Sequence, residues 1–281
     1  AGDGALIQTC PDSTRANSTF TAVEYCPISS GILKAKEPNI KVINSGFEAT
    51  ALPYDYYDCA IANPPFLETY LQDEFDRKLK GSEHNFFLLK SLKTVREGGF
   101  LCALVTRSFL DANDDTTRSE IAKLATLKVA FRLPNSIFGN DNTNVITDIV
   151  VFQRAKQGEF NLNWLTSEEY ASTDKEKVCI NNYYLENPSH ILGKPHVTTD
   201  RYNKPIVDIL TDTDLDITSR IEELTQNLAP CFIDMSPDTV NKGDDGVEVD
   251  SDIALFNLGF DVNGSPVKRI LDFEAEPQYE R

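Results

Sequence analysis

No stretch of this 281-residue chain approaches the roughly 20 consecutive apolar residues that a bilayer-spanning helix needs. The opening residues Ala1 to Cys10 lack both a basic start and an apolar core, so no signal peptide is read there. Histidine is scarce: His84, His190 and His196 are scattered, with no acidic or cysteine partner in register. The six cysteines (Cys10, Cys26, Cys59, Cys102, Cys179 and Cys231) form no C-x-x-C pair and sit at no zinc-finger spacing, so neither a metal site nor a disulfide framework is expected. Several lie in apolar runs, as Cys102 does, and are read as reduced structural thiols of a cytoplasmic protein. Positive charge is also short. The chain carries −17, whereas nucleic-acid binding normally leaves a basic footprint. The deficit is uneven, however: residues 1 to 154 hold 16 Lys+Arg against 19 Asp+Glu, or −3, and residues 155 to 281 hold 11 against 25, or −14.

The first half alternates strand-like and helix-like runs, as a parallel α/β sheet requires. Strands are expected at Phe20–Glu24, Lys41–Ile43, Cys59–Ala62, Gly99–Thr106, Leu127–Leu133 and Val145–Gln153. Helices are expected at Pro27–Lys36, Asn85–Arg96 (stopping at Gly98-Gly99) and Thr116–Thr126. The order is that of a doubly wound, Rossmann-like sheet with ligands at the strand C-termini. Its first strand is expected to be missing, because Gly2-Asp3-Gly4 should follow a strand and only Ala1 precedes it. Beyond Arg154 the pattern weakens to short elements at Asn181–Leu185 and Ile206–Leu210 and a helix at Ile217–Leu228. An acidic linker over Asp234–Asp252 and a hairpin around Asn263-Gly264 close the chain. Two domains are therefore expected, residues 1 to 156 and an acidic accessory region, 157 to 281.

Most chemical information lies in Asp58-Cys-Ala-Ile-Ala-Asn63-Pro64-Pro65-Phe66, where an apolar strand runs into Asn-Pro-Pro-aromatic. That tetrapeptide arises by chance in about one chain in 400 of this length. An exocyclic amino nitrogen is a poor nucleophile because its lone pair is delocalised into the ring. Two acceptors placed at its hydrogens, the Asn63 side-chain carbonyl and the Pro64 main-chain carbonyl, favour a pyramidal nitrogen. Phe66 offers a ring on which an extruded base can stack. A plain rigid turn after a buried strand is the alternative. The turn Gly2-Asp3-Gly4 would let backbone approach a ligand, and Glu24, ending the second strand next to Tyr25, would accept from both hydroxyls of a nucleoside ribose.

Gly2-Asp3-Gly4, Glu24 and Asn63-Pro64-Pro65-Phe66 stand in the order seen in amino-group DNA methyltransferases of the adenine-N6 type. With Phe131–Phe138, Val145–Gln153 and Asn181–Pro188, the chain resembles the methylase module of large phage and plasmid helicase–methyltransferase fusion proteins over about residues 1 to 195. The resemblance implies S-adenosylmethionine as cofactor, held through Gly2, Asp3, Gly4, Glu24, Tyr25 and Phe47. It also implies a flipped DNA adenine held by Asn63, Pro64, Pro65 and Phe66, and recognition by further domains of a longer polypeptide. The family usually has Asp before Phe47, where this chain has Gly46; Glu48 is the expected substitute. RNA or protein-glutamine amino methylation, or a non-catalytic interaction module of the same fold, are the competing readings. Whether the role is restriction protection or anti-restriction stays open. Asp111–Asp115 is read as a solvated loop, Arg107 and Arg118 as weak phosphate candidates, and Trp164, Tyr183 and Tyr184 as packing residues.

Overall fold

The alternation read from the sequence recurs in the structure, a computed structural model that describes residues 1–66, 69–138, 145–155, 162–172, 177–200, 203–226, 269–270 and 278–279. The acidic linker and the turn at Asn263-Gly264 lie outside the described residues. The chain divides into two compact units, one of Ala1–Tyr56, Glu68–Phe87 and Asp234–Arg281, the other of Tyr57–Leu67 and Leu88–Ile233.

The first unit opens with two short helices, α1 (Ala5–Gln8) and α2 (Asp12–Ala16). A β-α-β step follows: β1 (Thr21–Glu24), α3 (Pro27–Lys36) and β2 (Lys41–Asn44). The helix matches its sequence reading end to end because Pro27, with φ already helical and no N–H to lose, sits in its first turn. β1 and β2 pair in parallel, Glu24 opposite Asn44, and Leu33 of α3 is fully buried.

The second unit begins with β3 (Tyr57–Ala62). The chain then returns to the first unit for a hairpin, β4 (Tyr70–Gln72) and β5 (Lys80–Ser82), which the sequence reading did not foresee, and enters helix α4 (Glu83–Thr94). Strand β6 (Val95–Thr106) follows immediately. The helix therefore stops short of Gly98-Gly99. Those glycines lie inside β6, where a Cβ at Gly99 would come within 2.6 Å of the Asp58 carbonyl of β3, so the two backbones meet closely only because position 99 is bare.

After α5 (Ser108–Asp111) and α6 (Thr116–Ala122) come β7 (Ala125–Arg132) and β8 (Thr147–Arg154). The sheet order is β3-β6-β8-β7, with β3 and β6 parallel and β8 antiparallel to both its neighbours. Strand β8 thus departs from the parallel run of the other three. β7 and β8 are consecutive in the chain, with a 3-10 turn (Asn135–Phe138) among the described residues between them, and their observed register is antiparallel. Helix α6 likewise ends before Thr126, whose β-branched side chain enters β7. Among the described strands β3 bonds to β6 alone, and it leaves Cys59 exposed and Ile61 56% exposed.

Both sheet faces are packed. Leu101, Ala103, Val105, Val150 and Phe152 join Leu88, Leu92, Ile121, Trp164, Ile180 and Ile209 in the larger core. A register shift between Leu127 and Val129 changes the alternation of β7. Leu127 and Ala130 thus face the larger core, while Val129, Phe131 and Leu133 face a smaller one. That smaller core also takes Ile217, Ile221 and Leu224 of helix α8 (Ile217–Gln226), spaced for one helical face. Between them lie β9 (Ser167–Ser172), β10 (Lys177–Asn181), α7 (Asn182–Glu186), β11 (Lys194–Thr199) and β12 (Pro205–Leu210), forming two antiparallel pairs beside the sheet. The larger core thus runs without interruption from Leu88 to Ile209. Among the described residues no helix is long and apolar enough to cross a membrane.

Candidate functional site

The first unit brings Gly2, Gly4 and Glu24 together. Glu24 ends β1 with its side chain largely shielded, and its Oε2 accepts from the Gly2 N–H at 2.6 Å and from the Ala1 amino group at 2.8 Å. Its Oε1 accepts from the Cys26 N–H at 2.8 Å. Burial opposes ionisation of this carboxyl, but these hydrogen bonds outweigh it and hold the pKa below its ordinary value. Gly2 and Gly4 take φ of +62° and +95°, the left-handed region that side chains disfavour. A Cβ at Gly4 would also lie 2.6 Å from Leu33 Cδ1, so the glycine lets the turn settle on α3.

The neighbouring residues divide. Asp3 is exposed and ion-paired to Lys36 Nζ at 2.7 Å, turned toward the end of α3. Tyr25 is 79% exposed. Asn44, which sequence reasoning missed, donates from Nδ2 to the carbonyls of Glu24 (2.8 Å) and Tyr25 (3.0 Å) and so fixes the turn bearing the carboxylate. Phe47 is half-buried, 4.8 Å from the Phe87 ring and 6.2 Å from Phe86. A Cβ at Gly46 would overlap the Glu48 carboxylate, so Glu48 fills the space that a side chain at position 46 would take.

Asn63–Phe66 belong to the second unit. They follow β3, whose parallel neighbour β6 and the strand β7 end at the same sheet edge. Asn63 and Pro65 are exposed, Pro64 is buried behind them, and the Phe66 ring is 42% exposed. The amide therefore stands at the surface on an anchored backbone. At the same edge, Thr106 Oγ1 and Ser108 Oγ share a 2.7 Å hydrogen bond, and Asn135 Nδ2 donates to Asp208 Oδ2 at 2.8 Å, holding the turn after β7.

Beneath this edge lies a charged cluster that sequence reading dispersed. Arg132 is fully buried and donates Nε and Nη2 to Asp148 (2.8 and 2.9 Å) and Nη1 and Nη2 to Asp111 (2.8 and 3.1 Å). Its guanidinium lies 4.4 Å from the Tyr184 ring centre. Burial works against the Arg132 charge, but Asp111 and Asp148 raise its pKa well above the ordinary value. Burial also pushes the Asp148 carboxyl up, against the pull of Arg132. Asp111 is thus no solvated loop residue, although Asp114 and Asp115 are exposed. Arg118 is buried as well, donating to the carbonyls of Leu165, Phe109 and Ala112, which removes it as a phosphate contact. Trp164 and Tyr184 are packing residues, both almost fully buried. Burial lowers the His84 pKa to about 4. Among the described residues no group of three or more His, Cys, Asp and Glu side chains could hold a metal ion.

No protein-family model matches the chain. The protein named Defense against restriction protein B, from Escherichia phage P1, is 28% identical over 159 residues, which are 55% of this chain and 7% of the phage protein. A solved class I S-adenosylmethionine-dependent methyltransferase structure from Listeria monocytogenes superimposes with a TM-score of 0.50 at 15% identity, over 80% of this chain and 61% of that one. The modification subunit described for a type I restriction enzyme from Vibrio vulnificus gives 0.45 at 13% identity, over 79% and 55%. The chain therefore spans less than two thirds of each of these relatives. Its fold is the α/β fold of class I S-adenosylmethionine-dependent methyltransferases. The phage resemblance read from its motifs has a counterpart in the phage P1 protein.

Proposed function

We propose that this chain transfers a methyl group from S-adenosylmethionine to an exocyclic amino group, and that the acceptor is the N6 amino group of adenine in DNA. The observation that carries the reading is the exposed amide of Asn63 on the buried Pro64 at the end of β3, with a partly exposed ring at Phe66. The fold comparison supports the cofactor class.

The residues fit the cofactor. Glu24 presents two oxygens at a strand end, already accepting N–H groups that a ribose diol would replace, beside a turn whose glycines leave backbone accessible. The Glu48 carboxylate, lying over Gly46, supplies the acceptor that the missing acidic side chain would have given to an adenine amino group, and Phe47 supplies the adjoining apolar surface. Bound there, the cofactor offers an electrophilic methyl on sulfonium.

Asn63 accepts one hydrogen of the target amino group and the Pro64 carbonyl accepts the other, leaving the nitrogen lone pair free to attack. Phe66 stacks on the extruded base and excludes water from one face. As the N–C bond forms, the C–S bond would break, sulfur would leave as a neutral thioether, and the extra N–H proton would pass to solvent. Neither Asn63 nor Pro64 changes protonation state, so the rate gain comes from placement and from acceptors that bind the pyramidal nitrogen better than the planar one. Residues 1 to 156 are the methyl-transferring domain on this reading, with 157 to 281 accessory to it, and target recognition falls to other domains or partner chains.

The test is transfer of labelled methyl from S-adenosylmethionine to separate DNA, RNA and protein pools by the wild-type chain and Asn63→Ala. The expected outcome is labelling of DNA adenine that Asn63→Ala abolishes while cofactor binding persists. Labelling of glutamine or RNA instead would move the acceptor, and turnover by Asn63→Ala would remove Asn63 from its role. Cofactor binding without transfer to any pool would support the interaction-module reading.

A further inference from the structure

Arg107 follows the last residue of β6, and Asn63 follows the last residue of its parallel neighbour β3; both belong to the second unit. The register pairs Ala62 with Ala103, which sets Asn63 level with Leu104. Three residues of strand rise at about 3.3 Å and one strand spacing of about 4.8 Å then put the Arg107 Cα about 11 Å from that of Asn63. An extended arginine side chain and the breadth of one nucleotide bridge that distance.

Arg107 is half-buried, and its guanidinium makes no hydrogen bond or ion pair among the described residues. The other described arginines of this unit are spent: Arg96 on Asp58, Arg220 on Glu223, Arg132 on Asp111 and Asp148, and Arg118 and Arg154 on main-chain carbonyls. Beside Arg107, Thr106 Oγ1 and Ser108 Oγ share one hydrogen bond, which uses one of their two hydroxyl protons and leaves the other to donate. The strand ends at this edge, 62–66, 104–110 and 133–138, hold no acid. The acids that follow are engaged: Asp111 gives both oxygens to Arg132, Asp114 accepts from the Thr116 N–H and hydroxyl, and Asp115 accepts from Ser119. Among its described residues, this edge of a −17 chain therefore offers a cation and a spare hydroxyl donor with no carboxylate to receive them. Such a pair of donors matches a phosphodiester, whose two free oxygens accept from both.

We propose that Arg107, with the Thr106–Ser108 hydroxyls, binds a backbone phosphate of the target nucleotide at the end of β6. This rests on the reading of Asn63–Phe66 as an amino-base site. It assigns the contact that holds the strand there while sequence recognition lies elsewhere.

Fluorescence anisotropy of a labelled thymine strand carrying a single adenine, titrated with the full chain at several salt concentrations, tests it. Arg107→Gln should weaken binding about tenfold, the loss of a charged hydrogen bond, and lower the logarithmic salt slope by about 0.7. Arg107→Lys, which keeps the charge, should retain that slope. Neutralising the phosphates beside the adenine one at a time, as methylphosphonates, should find one position that weakens wild type by a similar factor and Arg107→Gln hardly at all; this arm needs no variant other than a surface one. A salt slope unchanged in Arg107→Gln, equal methylphosphonate losses in both proteins, or no binding by the wild type would overturn the proposal. The two readings fail separately. Arg107-dependent binding without methyl transfer would sink the amino-base site alone, whereas adenine methylation indifferent to Arg107→Gln and to neutral phosphates would sink the phosphate contact alone.

Discussion

Replacing Arg132 with Met tests the electrostatic design of the sheet edge. The guanidinium makes four hydrogen bonds to two carboxylates, and its own side chain and that of Asp148 are fully buried. Methionine keeps most of the volume but leaves Asp111 and Asp148 facing each other without a counter-charge. Breaking a buried pair from one side costs about 3–5 kcal/mol, a large part of a typical domain's stability of about 5–15 kcal/mol. At about 2–4 °C per kcal/mol for a unit of this size, the melting transition of the four-stranded sheet should fall by roughly 6–20 °C. Calorimetry at pH 7 measures that shift, and repetition down to pH 4.5 supplies a second signature. Burial already raises the Asp148 carboxyl, the loss of Arg132 raises it further, and a raised folded pKa yields stability as pH falls through it. The gap between variant and wild type should therefore narrow toward acid. Removing the carboxylates as well, in Arg132→Met/Asp111→Asn/Asp148→Asn, should recover part of the loss. A deficit below about 1 kcal/mol at pH 7, or a gap independent of pH, would refute the reasoning.

Two further outcomes follow from the sites. Glu24→Ala, assayed by calorimetric titration with S-adenosylmethionine, should lose about 2–3 kcal/mol of binding, roughly 30- to 150-fold, because two hydrogen bonds to a charged acceptor disappear; unchanged affinity would remove Glu24 from the cofactor site. The Tyr183 hydroxyl accepts from the Ala130 N–H at 3.0 Å and shares a hydrogen bond with His190 Nδ1, 2.8 Å away; donation of its proton to that nitrogen requires neutral histidine. Burial and the nearby Arg220 charge lower the His190 pKa, so its contribution is complete above the unfolded value near 6.5 and is lost as pH falls through the folded one. Urea titrations at pH 7.5 and pH 5 should show wild type losing more stability than His190→Gln. Equal losses would show that the hydroxyl has another partner, and His84, which shifts in the same direction, is common to both proteins.

What the sequence revealed and what it hid differ by the range of the interactions. Pro27–Lys36 was legible because a first-turn proline and the helical apolar spacing are local signals, and Gly2, Gly4 and Glu24 were legible because their order along the chain is itself informative. The β4–β5 hairpin was not. Its strands are three residues long, and its turn mixes acids and bases in a way that reads as solvated loop. The Arg132 cluster was invisible for a different reason: its members lie on three elements, and Arg132 meets Asp148 only once β7 and β8 pair in their observed register. Asn181 was noticed only as the start of a short element and as part of a resemblance. It is buried and binds the carbonyls of Leu110 and Trp164, an anchoring that no local pattern announces. Gly98 was read as a helix stop because glycine punctuates both helices and strands.

The two outer strands of the central sheet are finished differently. At β7, Tyr183 takes the Ala130 N–H, and Ile191 bridges to Arg132 while the Leu192 N–H reaches its carbonyl at 2.8 Å. Tyr57–Ala62 pairs with β6 alone among the described strands. A strand that leaves an isoleucine and a thiol exposed is a site for self-association in concentrated solution. Preparations of this chain call for a reductant against Cys59 cross-linking, and a lysine at position 61 offers a means of keeping it monomeric.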